Sequence, residues 1–337
     1  MSRLVLVVGV GRSGTSLLSG MLGHLGFHIP QPEVKADDTN PRGFGEPRWV
    51  VDFHTRLLRE RRVTLNDARP AAWESTGTAA GDPAVYGELS RWLGTQLGVA
   101  DELVVKDPRT VWFLDLWTRS AAERGIATSF VTMLRHPAEI VASARKSYGP
   151  GLTTAGRASA WLNVMLQTEH VTRDARRAFV RYEDLLADWV PEIRRIGSLI
   201  DVPELAAVEK QAHPQVDAFV DPSLHRNRID WDELDVPARV RDLAEDVWRQ
   251  VQALALPGGD TAAAAPALDE ARAAYRAMYA EAEAIAQTSV MAARAPRPKP
   301  APRPAAPPSL RVRLTQRVPV RYRRRLRRAV GSLRGRS

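Results

Sequence analysis

Near its start the chain reads Val5-Leu6-Val7-Val8-Gly9-Val10-Gly11-Arg12-Ser13-Gly14-Thr15-Ser16, an apolar strand that passes into a glycine-rich turn and then a helix. The glycines allow close approach of the backbone to a ligand, and the positive end of the helix points at the same place. The helix is amphipathic, with one apolar stripe formed by Leu17, Leu18, Met21, Leu22 and Leu25. The stretch therefore predicts a site for a phosphate or sulfate group.

The charge of the chain is unevenly distributed. The net charge of +9 includes 15 Lys or Arg and no acidic residue between Arg294 and Ser337, which leaves 33 basic against 39 acidic residues, a net −6, for residues 1–293. A high overall isoelectric point suggests nucleic acid as a partner, but here that inference concerns the tail alone. The chain has no cysteine, which excludes disulfides and thiolate metal sites.

Apolar runs at Leu4–Val8, Glu102–Lys106, Thr128–Leu134 and Ala178–Arg181 are each followed by a helical pattern. Alternating strands and helices predict an α/β fold, with a parallel sheet covered by helices on both faces. We expect an irregular stretch from Ala212 to Trp231. The predicted organisation is a domain over 1–260, an alanine-rich helix over 261–293, a proline-rich linker over 294–308 and a basic, amphipathic or disordered tail over 309–337.

Three templates compete for the glycine turn. Its Gly9-x-Gly11-x-x-Gly14 spacing matches a dinucleotide fingerprint, but the acidic residue at the required distance, Glu33, lies in a proline-flanked loop and not at a strand end. As a phosphate-binding loop of a kinase or ATPase, it has Thr15 in place of the lysine that holds the β- and γ-phosphates. The cation lies within the loop instead, at Arg12, so both nucleotide classes are disfavoured.

A second strand-to-helix junction predicts a second phosphate site. Arg135 ends the third strand, Pro137 suits the first helical turn, and Ser143 follows two turns later. Two anion sites at the carboxyl edge of one sheet suit a nucleotide with phosphates on both sides of its ribose. 3′-Phosphoadenosine 5′-phosphosulfate (PAPS) has that shape.

The chain resembles the sulfotransferase superfamily at this point, most closely bacterial sulfotransferase-like proteins and the related tyrosylprotein branch. Four separated motifs carry the resemblance over residues 1 to about 230. They are Gly11-Arg12-Ser13-Gly14-Thr15, Lys106-Asp107-Pro108, Leu134-Arg135 through Ser143 with the family's Arg-to-Ser spacing of eight, and Arg181-Tyr182-Glu183-Asp184-Leu185. The resemblance implies a three-layer, P-loop-like fold and PAPS-dependent sulfuryl transfer without a metal.

The resemblance also implies roles for the donor residues. Arg12 and Lys106 are the candidate cations near the oxygen that leaves with the nucleotide. Arg135 and Ser143 are expected to hold the 3′-phosphate, while Tyr182 is either a nucleotide contact or a core tyrosine. The basic residue that other members carry four positions after the serine is replaced here by Ser147. The 5′ cradle is expected to consist of Gly11, Ser13, Gly14, Thr15 and the hydroxyl of Ser16.

Two carboxylates compete for the role of general base toward the acceptor hydroxyl. Glu46 is preferred because Asn40 to Glu46 resembles a segment of bacterial relatives, and Glu33 is the alternative because its distance from Arg12 is nearer that of the tyrosylprotein enzymes. His54, a lone histidine on a helix, is expected to be packed or solvated. A late basic segment, Ser223 to Arg228, is a candidate lid.

The acceptor is expected to be a hydroxyl on a carbohydrate or glycolipid, by analogy with bacterial relatives. The arginine-rich tail is either a solvated extension or an anchor on an anionic membrane surface, and its single aromatic residue, Tyr322, disfavours nucleic acid as a partner. We expect a cytoplasmic enzyme, peripheral at the membrane if the tail anchors it, and no metal. The alternative is a non-catalytic nucleotide-binding scaffold that docks through the tail.

Overall fold

Four parallel strands form the centre of the computed structural model, which describes residues 2–38, 40–148, 151–221 and 229–294, and Tyr322. The strands are β1 (Arg3–Val8), β2 (Glu102–Lys106), β3 (Ala127–Leu134) and β4 (Arg176–Arg181), in the order β2-β1-β3-β4. Each strand lies within two residues of its predicted bounds, and the α/β class is confirmed.

The helices begin and end as follows: α1 Thr15–His24, α2 Arg48–Glu60, α3 Ala72–Gly77, α4 Pro83–Leu97, α5 Leu114–Glu123, α6 Pro137–Tyr148, α7 Thr154–Val171, α8 Tyr182–Ala187, α9 Trp189–Ile200, α10 Pro203–Ala206, α11 Pro214–Phe219, α12 Ala238–Leu254, α13 Ala265–Ile285 and α14 Gln287–Arg294. Short 3₁₀ turns lie at Thr78–Gly81, Pro108–Phe113, Lys210–Ala212, Trp231–Glu233 and Ala262–Ala264. No helix in the described part of the chain is long and apolar enough to cross a membrane.

Successive side chains of a strand point to opposite faces of the sheet, and both faces are buried. Leu4, Leu6 and Val8 point to one face and pack with a large core against α2, α4, α5 and α7. Val5 and Val7 point to the other face and pack against α1 and α9. Burial on both faces gives three layers, because strands of a parallel sheet are covered by their crossover helices.

The register places the carboxyl ends of the strands together at one edge. Val7 of β1 pairs with Lys106 of β2, and Val8 pairs with Thr132 of β3. Leu134, at the end of β3, pairs with Arg181 at the end of β4. The loops that follow these strands therefore meet at this edge, the usual place for a ligand in an open parallel sheet.

Two regions differ in detail from the sequence prediction. The stretch expected to be irregular contains α11, where Pro214 opens a turn and Val216 is fully buried. The alanine-rich region is not one helix, because α13 ends at Ile285 and α14 begins at Gln287.

The chain divides into two units, residues 1–284 and 285–337. Within the first, α13 packs through Leu268, Ala271 and Tyr275, and the Tyr275 hydroxyl donates to the Ala68 carbonyl at 2.5 Å. The predicted linker and tail lie outside the described residues except for Arg294 and Tyr322. The predicted domain limits stay a prediction.

Candidate active site

The glycine loop leaves the sheet through backbone conformations that most residues avoid. Gly9, Arg12 and Gly14 have φ values of 138°, 78° and 99°. A Cβ on Gly14 would lie 2.3 Å from the Tyr182 ring, so only glycine fits there. The loop then enters α1 at Thr15, and the first N–H groups of the helix have no partner within the helix. These groups are available to an anion at this edge.

Side chains of the two predicted phosphate motifs are in direct contact. Arg12 Nε donates to Ser143 Oγ at 3.1 Å, and Arg135 Nη1 donates to the backbone oxygen of Arg12 at 3.3 Å. The Arg135 guanidinium also lies over the Tyr182 ring, 5.0 Å from its centroid. Arg12 and Arg135 thus both lie at this edge of the sheet, where their guanidinium groups are suited to binding anionic groups.

These residues line an open cleft of about 850 Å³. Of the predicted donor residues, the cleft wall contains Arg12, Gly14, Ser16, Arg135, Ser143 and Tyr182. Gly11, Ser13 and Thr15 are buried in the loop. The Ser13 hydroxyl has no hydrogen-bond partner among the described residues, so the loop holds one polar group whose partner is still to be supplied.

Lys106 lies behind this cleft at the end of β2. Its side chain is 2% exposed, and Nζ donates to Glu46 Oε1 at 2.6 Å, to Ser16 Oγ at 3.1 Å and to the Phe44 carbonyl at 3.2 Å. Burial lowers the pKa of Lys106, and the Glu46 carboxylate opposes that effect. Lys106 therefore joins the loop to one of the two candidate bases.

Asp107 is not the partner of Lys106. Its Oδ2 accepts from His54 Nδ1 at 2.7 Å, and its Oδ1 accepts from Arg109 through both the backbone N–H and the guanidinium. Trp117 Nε1 donates to His54 Nε2 at 2.9 Å, so that nitrogen accepts and the ring proton lies on Nδ1. Burial would raise the pKa of Asp107, but the bond from His54 and the charge of Arg109 hold it below its usual range.

The Asp107–His54–Trp117 chain is fully buried and its bonds are satisfied, so His54 is packed, as expected. Its position explains how the end of β2 is fixed. With Asp107 tied to α2 through His54 and to α5 through Trp117, the preceding residue, Lys106, is directed toward Ser16 and Glu46.

The two candidate bases lie in different surroundings. Glu46 is buried beside Lys106, and its backbone oxygen accepts from Val34 N–H at 2.8 Å. Glu33 lines a second open cleft of about 800 Å³, and its Oε1 accepts from Gln31 Nε2 at 2.7 Å. The loop that carries both therefore places one carboxylate behind the donor loop and the other in an open space.

A wall between the two clefts was not anticipated from the sequence. Ser16, Arg42, Gly43 and Phe219 line both clefts. Arg42 donates to the Phe219 carbonyl, to the Ala218 carbonyl at 3.1 Å and to Asp221 Oδ2 at 3.1 Å. The partners are some 176 to 179 residues apart in the chain, so spacing gave no signal of the contact. The candidate lid, Ser223 to Arg228, lies outside the described residues.

Glu139 is a second residue that the sequence did not single out. Its Oε2, in the first turn of α6, accepts from Arg135 Nε at 2.7 Å. The i to i+4 spacing from Arg135 was available as a signal. The bond fixes the guanidinium by its Nε edge and leaves the two Nη groups directed elsewhere, one of them toward the glycine loop.

The chemistry of the donor cleft fits a nucleotide with more than one anionic group. The cleft wall includes the guanidinium groups of Arg12, Arg42 and Arg135, the hydroxyls of Ser16 and Ser143, and the N-terminus of a ten-residue helix. Phosphate and sulfate oxygens accept from all three kinds of donor. Cations at both Arg12 and Arg135 match separate anionic groups better than a single one.

Comparisons with known proteins agree with this chemistry. The family model described as "Sulfotransferase family" matches residues 5–207, more than half of the chain. Among solved structures, the chain is similar to the crystal structure of sulfotransferase STF1 from Mycobacterium tuberculosis H37Rv, with 16% sequence identity and a TM-score of 0.34. That match covers 65% of this chain and 75% of STF1. No curated protein matches the chain significantly.

Proposed function

The chain belongs to the sulfotransferase family, a family of enzymes, and on that premise we propose that it transfers a sulfuryl group from PAPS to a hydroxyl. The acceptor in this proposal is a carbohydrate or glycolipid. The observation that carries the donor half is the 3.1 Å contact between Arg12 and Ser143, which brings the two predicted anion motifs into one cleft.

Each part of the cleft has a proposed role in binding the donor. The first N–H groups of α1 and the Ser16 hydroxyl hold the 5′ end, with Arg12 beside them. Arg135 and Ser143 hold the 3′-phosphate, the group that distinguishes PAPS from other adenine nucleotides. The Tyr182 ring supports both ends, because it packs against Gly14 and beneath the Arg135 guanidinium.

The transfer is an in-line displacement at sulfur. The acceptor oxygen forms a bond to sulfur while the bond from sulfur to the 5′-phosphate oxygen breaks, and adenosine 3′,5′-bisphosphate leaves. The acceptor proton passes to a carboxylate, and negative charge builds on the departing oxygen. Arg12 and Lys106 stabilise that charge, since fixed cations act most strongly in a site shielded from water.

Glu46 is the proposed base and Glu33 its competitor. Glu46 shares a hydrogen bond with Lys106, so the proton acceptor and the cation belong to one buried unit. Glu33 is in the open cleft and is more accessible to an acceptor. A base must be within hydrogen-bond reach of the proton it takes, and both carboxylates lie on the loop next to Ser16.

Transfer of labelled sulfate from PAPS tests the proposal, with acceptors drawn from oligosaccharides and glycolipids. We expect Lys106→Ala to lower transfer by at least 100-fold, and Glu46→Gln by about 100-fold, while the dissociation constant for adenosine 3′,5′-bisphosphate changes by less than about tenfold. Glu33→Gln is the competing variant, and Glu60→Gln, at an exposed end of α2, is the matched control.

The outcomes of this experiment are distinct. Loss of transfer in Glu33→Gln together with full transfer in Glu46→Gln would show that Glu33 is the base. Full activity of Lys106→Ala would contradict the proposed stabilisation of the leaving oxygen. Tight binding of the bisphosphate without transfer to any acceptor would favour the alternative function, a nucleotide-binding scaffold.

The basic tail supports a separate proposal, attachment of a cytoplasmic protein to an anionic membrane surface. Its arginines alternate with leucines and valines, a composition suited to acidic headgroups. Sedimentation with vesicles containing phosphatidylserine should capture the full chain in low salt and release it in high salt. Replacement of Arg323, Arg324 and Arg325 by Gln should reduce capture. Equal capture by neutral vesicles would contradict the proposal.

A further inference from the structure

We propose that the second cleft, lined by Glu33, is the acceptor site and that it takes an uncharged sugar. The inference rests on the proposed sulfuryl transfer and specifies the class of acceptor. Its evidence is the position of the second cleft relative to the donor cleft, the charge of its lining and the mixture of polar and apolar groups in its walls.

The two clefts share Ser16, whose side chain contacts Lys106. Ser16 lines both, and its Oγ accepts from Lys106 Nζ at 3.1 Å. A molecule in the second cleft therefore reaches the same part of the glycine loop as a nucleotide in the first. Glu33 and Gly45, which line only the second cleft, belong to the loop that also carries Glu46. An acceptor there lies beside the donor, against Glu33 and against Gly45, the residue that precedes Glu46.

Arg42 and Phe219 keep the two spaces distinct. The Arg42 guanidinium is bonded to Asp221 and to the carbonyls of Ala218 and Phe219, and lies 5.7 Å from the Phe219 ring centroid. Its charge is therefore partly neutralised within the wall. The wall separates the strongly cationic cleft from one with a different electrostatic character.

The described lining of the second cleft does not favour an anion. Glu33 contributes a negative charge, and the charge of Arg42 is shared with Asp221. A carboxylate is an acceptor only, so it binds the O–H groups of an uncharged ligand and repels an acidic one. A sulfate acceptor with its own carboxylates or phosphates would therefore bind poorly at this place.

The remaining groups suit the two faces of a sugar ring. Hydrogen-bonding side chains come from His24, His28, Gln31 and Glu33, and apolar surface comes from Phe27, Ile29 and Phe219. A sugar presents hydroxyls at its edge and C–H groups on its faces, and sites of this kind combine apolar walls with a few placed polar groups.

Glycines form part of the wall and let its parts pack closely. Gly20, Gly23 and Gly45 line the cleft, and a Cβ on Gly20 would lie 2.3 Å from the Phe219 ring. With glycine at position 20 the ring lies directly on α1. The glycines therefore bring the side chains of Phe219, Ile29 and Ser19 against the neighbouring backbone, and this close packing fixes the shape of the cleft.

A panel of acceptors, with labelled PAPS as donor, tests the chemical class of the acceptor. It contains neutral oligosaccharides, alkyl glucosides and alkyl maltosides, sulfated or carboxylated oligosaccharides, and tyrosine peptides flanked by glutamates. We expect label on neutral sugars. Alkyl glycosides preferred over free oligosaccharides would identify the source as a glycolipid head group, and the reverse preference would identify a free sugar. Label confined to anionic acceptors, or no labelled neutral sugar in the panel, would overturn the inference.

Two variants test whether the acceptor binds in the second cleft. His24→Ala and His28→Ala alter side chains that line the second cleft alone. Each should raise the KM for the best neutral sugar about five- to tenfold, the effect of one lost hydrogen bond. The kcat and the dissociation constant for adenosine 3′,5′-bisphosphate should change by less than about twofold. Lys35→Ala, at an exposed position of the same loop, is the matched control.

Direct binding of the sugar, measured without any nucleotide, separates this inference from the proposed function. Sugar binding that His24→Ala weakens, in a protein that binds no bisphosphate nucleotide, would sink the proposed function and leave the sugar site standing. Bisphosphate binding and transfer with unchanged KM in both cleft variants would sink the sugar site alone.

Discussion

Arg12 and Ser143 are 131 residues apart in the chain, yet the guanidinium Nε of one donates to the hydroxyl of the other at 3.1 Å. The first residue comes from the loop after β1 and the second from α6, after β3. Since β1 and β3 are neighbours in parallel, both follow strand ends at the same edge. The contact joins the two halves of the proposed donor site.

Arg135→Ala should remove selectivity for the 3′-phosphate. A hydrogen bond to a charged group contributes about 1.5–3 kcal/mol, so we expect a rise of about 10- to 150-fold in the dissociation constant for adenosine 3′,5′-bisphosphate. Binding of adenosine 5′-phosphate should change by less than about threefold. Titration calorimetry measures both. Arg56→Ala, at a half-exposed position of α2, is the control, and equal loss for the two nucleotides would contradict the assignment.

Gly14→Ala should destabilise the protein more than Gly26→Ala. The two glycines have nearly equal φ values, 99° and 101°. Alanine at either position therefore introduces a similar backbone strain of about 1–2 kcal/mol. A Cβ at Gly26 meets nothing within 4 Å, whereas one at Gly14 collides with Tyr182. Overpacking adds about 1–3 kcal/mol, which urea unfolding measures. Equal destabilisation by the two variants would show that the Tyr182 ring moves aside to accommodate the added methyl group.

Glu46→Gln should destabilise the fold as well as lower transfer. The variant leaves Lys106 buried without its carboxylate, and breaking a buried pair costs about 3–5 kcal/mol. The double variant Lys106→Met/Glu46→Gln should therefore be more stable than Glu46→Gln. Urea unfolding of wild type, Glu46→Gln, Lys106→Met and the double variant checks this, and additive losses would show that the pair does not couple.

Asp107→Asn should lower stability with a definite pH dependence. An amide cannot accept from both His54 and Arg109, so we expect a loss of about 2–4 kcal/mol at pH 7. The folded-state pKa of Asp107 lies below its ordinary value of about 3.9, so the carboxylate stabilises the fold above that pH and ceases to do so as pH falls through the folded-state pKa.

Urea unfolding of wild type and Asp107→Asn from pH 3 to pH 7 tests this directly. The difference in stability between the two should be constant above about pH 5 and shrink below about pH 4. A difference that is independent of pH would contradict the role of the Asp107 charge. Asp115→Asn, at an exposed position at the start of α5, is the matched control.

The sheet and the donor loop could be predicted because their signals are local. Leu4–Val8 is apolar and is followed at once by glycines, and the same alternation of strand and helix recurs three times. The sulfotransferase resemblance was confirmed for the same reason, since each motif lies at one strand end. Helix α7 gave a weaker signal, because it is buried around most of its surface and shows no single apolar stripe.

Contacts between distant segments could not be read from spacing. Lys106 pairs with Glu46, 60 residues away, and not with its neighbour Asp107. Arg42 reaches α11 in a stretch expected to be irregular, so neither the wall nor the second cleft was foreseen. Such contacts depend on how loops of uneven length meet at one edge, which local periodicity does not encode.

Thermal unfolding with adenosine 3′,5′-bisphosphate, ATP and NAD measures the central claim most directly. A ligand at about 100 times its dissociation constant stabilises the fold by about 2.7 kcal/mol, which shifts the midpoint by several degrees. The account predicts a shift with the bisphosphate that exceeds those with ATP and NAD and that disappears in Arg135→Ala. No shift with the bisphosphate, or a larger one with ATP or NAD, would contradict the proposed donor site.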